Sequence, residues 1–119
     1  MKILKALMIF AAAVFLLSAC EYEWIEIEVE VPDVVSFTDH VMPIFENDCV
    51  SCHGPSGSAP DLSAEAAYNS LISGNYVNLD NPSASLIYTS MTTGTMKDYA
   101  TLGTPEIILR WIEQGANDN

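Results

Sequence analysis

Residues 37–53 read FTDHVMPIFENDCVSCH. Phe37, Val41, Ile44 and Phe45 fall at helical spacing, and Ser36 or Thr38 offers a side-chain oxygen to cap the first turn. Pro43 interrupts the pattern. It has no backbone donor and its ring crowds the preceding turn, so it predicts that the helix ends or bends there. The stretch closes on Cys49-Val50-Ser51-Cys52-His53, where two thiols three positions apart are followed at once by an imidazole.

That C-x-x-C-H spacing reads as an attachment site for a c-type haem. On a helical turn the two thiols each add to one vinyl group of the porphyrin, and the adjacent histidine supplies the proximal iron ligand. Two other chemistries share part of the pattern. A disulfide redox motif also uses C-x-x-C, but in a βαβ context at a strand-to-helix junction, and no strand pattern precedes Cys49. A zinc site needs a second pair of ligands. The only other cysteine and histidine in the chain are Cys20 and His40.

Beyond the motif, GPSGSAP at residues 54–60 reads as a loop. Residues 64–72 predict a second helix with Tyr68, Leu71 and Ile72 on one face. Asn81-Pro82 punctuates the chain before a third helix over residues 85–91. The last helix has the clearest signals. Thr104 is a good N-cap, Pro105 suits the first helical position and Glu106 complements the helix dipole. Ile108, Trp111 and Ile112 form its apolar stripe, and Gly115 closes it.

Upstream, EYEWIEIEVEVPD at residues 21–33 alternates carboxylates with apolar residues. The alternation suits a strand face, although its phase slips at Trp24-Ile25. A spacer is the favoured reading, and a short strand packed on the domain is the alternative. Ahead of it, Lys2 and Lys5 precede an apolar run from Ala6 to Ala19. A membrane span needs about 20 apolar residues, whereas the apolar region of a secretory signal needs only about 7–15. Leu17-Ser18-Ala19-Cys20 looks like a lipobox, the site at which bacterial lipoproteins are cleaved and acylated. The expected layout is a signal peptide over 1–19, a lipidated Cys20 with an acidic spacer over 20–35, and one small domain over 36–119.

Cleavage after Ala19 leaves Lys97 and Arg110 as the only basic residues against 16 carboxylates, moving the formal net charge from −12 to −14. So acidic a surface excludes nucleic acid, whose binding requires Lys and Arg to neutralise phosphates. It favours a basic redox partner, or else serves only solubility.

Phe37 to His53, together with LRWIEQGA at residues 109–116, resembles small bacterial class I cytochrome c domains over residues 36–116. The resemblance implies an all-α cytochrome c fold of three to four short helices around one haem, with the first and last helices crossing. It further implies that Pro60 and Leu62, in Pro60-Asp61-Leu62, support the site. The Pro60 carbonyl would accept the second ring N–H of His53, and Leu62 would pack on the porphyrin. An ordinary turn proline is the competing reading of Pro60. These domains take their distal ligand from a methionine ahead of the last helix, where Met91 and Met96 both lie. Met91 suits a core position at the end of the third helix. Met96, in a flexible stretch between Gly94 and Gly103, is the favoured ligand. His40 or an open iron are the remaining options, and Met42 is too close to the proximal side.

With His53 and Met96 both on the iron, no coordination position is left for a substrate. The expected function is therefore electron transfer by a lipid-tethered single-haem carrier, not an enzyme. An open iron would instead make a gas-binding sensor or weak peroxidase, and a dedicated haem subunit of a larger oxidoreductase is the third option. Glu21, rather than Asp, after Cys20 favours the outer membrane over the inner one.

Overall fold

A computed structural model of the chain describes residues 1–7 and 29–119. The lipobox, Cys20 and the first part of the acidic segment lie outside these residues. Among the described residues all regular secondary structure is helical, and no helix is long and apolar enough to cross a membrane.

Residues 2–7 are helical; within residues 29–119 the leading helix, α1, runs over residues 37–49 as three consecutive pieces. Wide turns over Phe37–Val41 and Phe45–Cys49 flank a short α-helical piece, Met42–Ile44. In the wide turns N–H groups reach back five residues, Met42 to the Phe37 carbonyl and Val50 to that of Phe45. Pro43 stands within the first two positions of the middle piece, where an N–H needs no intrahelical partner. The helix therefore continues through Pro43 instead of ending there. Ser36 is the cap, and its Oγ accepts from the Asp39 N–H at 3.2 Å. His40 returns the favour, its Nδ1 accepting the Ser36 N–H at 3.0 Å.

The remaining helices are α2 (Ala67–Ser73), α3 (Leu86–Thr92) and α4 (Thr104–Glu113), with a single 3₁₀ turn at Pro82–Ala84 before α3. Helix α2 starts three residues later than its sequence pattern predicts. Asp61 Oδ1 accepts from both the Ser63 N–H (3.0 Å) and the Ser63 hydroxyl (2.7 Å), and these bonds build a turn that occupies residues 63–66. Leu71 is buried, but Ile72 is 41% exposed and lies off the apolar face.

Helix α4 departs from expectation at its start and agrees at its end. Gly103, not Thr104, is the N-cap, with φ +90° and no side-chain cap bond, and Thr104 is the first helical residue. A Cβ on Gly103 would collide with the Val29 side chain, so glycine serves both the left-handed backbone and the close approach. At the other end, Gly115 (φ +100°) donates to Ile112 O and Ala116 to Trp111 O, each at 2.9 Å. This is the paired closure of a Schellman motif.

Helices α1 and α4 pack through an aromatic cluster. The Phe37 ring centroid lies 5.2 Å from that of Trp111 and 5.3 Å from that of Tyr68. Their polar atoms find backbone partners, Tyr68 on Ala116 O at 3.1 Å and Trp111 Nε1 on Asn117 O at 2.9 Å. Val41, Phe45, Leu71, Ile87, Ile108 and Ile112 complete the core. The packed body also extends upstream of Ser36. Val35, assigned to the spacer on sequence, is 2% exposed. Gln114 holds this segment from both sides, accepting the Val35 N–H at 2.9 Å and donating to Asp33 O at 2.6 Å.

Candidate functional site

The end of α1 carries the motif directly into a helical turn. The N–H groups of Cys52 and His53 both donate to the Cys49 carbonyl, at 3.1 and 2.9 Å. Both cysteines are free thiols, Cys49 half-buried and Cys52 exposed. Burial, and secondarily the negative charge of Asp48, push the Cys49 thiol up to about 11. Disulfide oxidoreductases shift a reactive thiol in the opposite direction.

The loop after the motif folds back over it. Gly57 N donates to Gly54 O and Ser58 N to Cys52 O, both at 2.9 Å, while Leu62 N reaches His53 O at 2.6 Å. These bonds bring two carbonyls to one ring nitrogen. His53 Nδ1 lies 3.0 Å from Ser58 O and 3.1 Å from Pro60 O. A carbonyl only accepts, so Nδ1 carries the hydrogen, and on the neutral ring Nε2 keeps its lone pair. An imidazole held in this tautomer is a preoriented metal ligand. The resemblance pointed to Pro60. Ser58 was missed, because nothing in GPSGSAP marks which carbonyls turn inward.

Gly57 allows this fold-back. A Cβ there would collide with the Cys52 carbonyl, a backbone atom of the motif itself. Gly57→Ala is expected to cost about 1–3 kcal/mol through overpacking, measured as a fall in the urea midpoint. A stability equal to that of the parent would contradict the close approach.

A cavity of about 530 Å³ opens beside the motif, within the size range of small-molecule and cofactor sites. One wall carries Cys49, Cys52, His53, Pro60 and Leu62; Met91 lines it from α3, and Met96 and Tyr99 from the chain between α3 and α4. Phe45, Tyr76 and Ile87 add apolar surface that the sequence pattern does not assign to the site, and among the described residues Asp48 is the only carboxylate lining the cavity. The two candidate methionines thus share one cavity. Met91 is 9% exposed, in α3, and belongs to the core, whereas Met96 is only partly buried. The segment that bears Met96 is hydrogen-bonded rather than loose. Met96 N donates to Ser90 O at 3.0 Å, and its own carbonyl accepts from Tyr99 and Ala100 at 3.1 Å.

His40 stands apart from these residues. It does not line the cavity, and its Nδ1 is engaged at the cap of α1. Among the described residues no group of three or more His, Cys, Asp or Glu side chains could hold a metal ion between them. A metal here would need donors from elsewhere, and a macrocycle anchored by two thiols with an imidazole below it fits the donor set present.

Comparison of the chain with protein-family models, with curated proteins and with solved structures returns no match.

Proposed function

We propose that the chain is an electron carrier built on one covalently attached c-type haem, which Cys49 and Cys52 would anchor through thioether bonds and His53 and Met96 would hold as iron ligands. The observation that carries this reading is convergence. Cys49, Cys52, His53, Pro60, Leu62 and Met96 are spread along the sequence, yet all line one cavity. When bound, the haem supplies a one-electron couple whose potential a methionine ligand raises. The chain does the rest. Ser58 and Pro60 hold the His53 ring and make its free nitrogen more basic. Leu62, Phe45 and Ile87 present apolar surface to the cavity that would exclude water, and Met96 would supply a second iron ligand.

A closed coordination shell leaves no place for a substrate, which favours a carrier over an enzyme. The all-α arrangement, with α1 packed on α4, supports a small cytochrome c domain over residues 36–119. The envelope location rests on the sequence alone: a signal over 1–19, a lipid on Cys20 and an outer-membrane anchor.

The optical spectrum of the matured protein, with and without carbon monoxide, tests the reading. A low-spin spectrum that carbon monoxide changes only slowly is expected. An immediate shift of the reduced form would mean an open iron and a gas-binding or peroxidase role. Co-purification of a stable partner in mild detergent would instead point to a subunit of a larger oxidoreductase.

The acidic surface gives a further expectation. Exposed charges more than about 8 Å apart are largely screened at physiological salt. Electron transfer to a basic acceptor protein should therefore slow as ionic strength rises. A salt-independent rate would leave the charge as a solubility feature.

A further inference from the structure

Met96 belongs to the segment between α3 and α4, and the hydrogen bonds along that segment are nearly all local. Gly94 N returns to Thr89 O, Met96 N to Ser90 O, Ala100 N to Met96 O and Thr104 N to Thr101 O. Each ties the segment to itself or to the helices it joins, α3 and the start of α4. Met96 and Ala100 pack against the core, but the larger Tyr99 and Leu102 are 72% and 67% exposed. Among the described residues one side-chain bond crosses to the other wall. Thr101 Oγ1 donates to Asp48 Oδ2 at 2.8 Å. Asp48 directly precedes Cys49 at the end of α1 and itself lines the cavity.

We propose that Thr101 is a positioning residue, whose hydroxyl latches the Met96-bearing segment to Asp48 and holds it closed over the cavity. On the proposed function, on which this second step rests, the latch sets how firmly Met96 is kept on the iron. The acceptor is a carboxylate, so the bond is charge-assisted. A hydrogen bond to a charged group corresponds to about a tenfold shift in the balance between closed and open segment.

Two readouts on full-length protein separate the latch from the haem. The first is limited trypsin digestion, because Lys97 and Arg110 are the only tryptic sites after Lys5. Lys97 is exposed in the latched segment and Arg110 lies in α4. Thr101→Val should be cut after Lys97 up to about tenfold faster than the parent, and Thr101→Ser, which keeps the hydroxyl, at the parent rate. The second readout is displacement of Met96 by imidazole from the oxidised holoprotein, followed by loss of the sulfur-to-iron charge-transfer band. Thr101→Val should take up imidazole about tenfold more tightly, and Thr101→Ser should not. A purely structural role for Thr101 would lower the denaturation midpoint without changing imidazole affinity.

Equal cutting of parent and Thr101→Val overturns the latch whatever the cofactor. Faster cutting with unchanged imidazole affinity overturns the positioning of Met96. If the parent protein carries no haem, the proposed function fails instead, and the digestion alone decides the latch.

Discussion

Replacing Cys49 and Cys52 together by alanine is expected to leave a protein that carries no covalent haem. On the proposed function each thiol would supply one of two thioether bonds, and among the described residues Cys49 and Cys52 are the only free cysteines, so nothing else there can take over the attachment. The single variants should differ. Cys52 is exposed and Cys49 half-buried, so Cys52→Ala should remove one covalent bond with little loss of packing. Cys49→Ala should also open space against the core, which Cys49 partly contacts. Haem staining of denaturing gels, together with the mass of the intact protein, reads all three variants. Persistent staining in the double variant would show that the haem is held by something other than the motif.

The second large effect separates the two methionines. Met96→Ala should abolish the charge-transfer band of the oxidised protein, lower the reduction potential and let carbon monoxide bind the reduced iron quickly. Met91 lines the same cavity but is buried in α3 among core residues. Met91→Ala should therefore keep the band and cost about 2–5 kcal/mol of stability, measured by urea denaturation. If the effects are exchanged, the ligand is Met91. If neither variant changes the spectrum, the iron is open or bound by another residue, and the gas-binding reading gains.

The parts of this fold that were legible depend on neighbours in sequence. The apolar stripe of α4, Ser36 as a cap for α1 and Gly115 as the closing residue each follow from one or two turns of chain. The turn at Cys49 to His53 is local in the same way, so the spacing of its two thiols and imidazole could be read directly. What stayed hidden depends on distant contacts. Thr104 has the better capping side chain, but Val29 packs where a Cβ at position 103 would stand, and only glycine tolerates that approach in a left-handed backbone. Val35 reads as the end of an acidic spacer until Gln114 is seen to bond the backbone on both sides of it.

The same division runs through the candidate site. Pro60, Leu62 and Met96 were all reached by resemblance, which places the methionine ahead of the last helix. Phe45, Tyr76 and Ile87 read as core residues and nothing more, because a core pattern does not show which apolar side chains border a cavity. Pro43 is the instructive middle case. Its missing donor is visible in sequence, but the two wide turns that carry α1 past it are a property of the whole helix.

Covalent attachment of the haem is the central claim, and acid-acetone extraction of the matured protein tests it most directly. The haem should stay with the precipitated polypeptide, and staining should follow the protein to its mature mass on a denaturing gel. Haem released into the acetone phase, leaving colourless protein, would contradict the account.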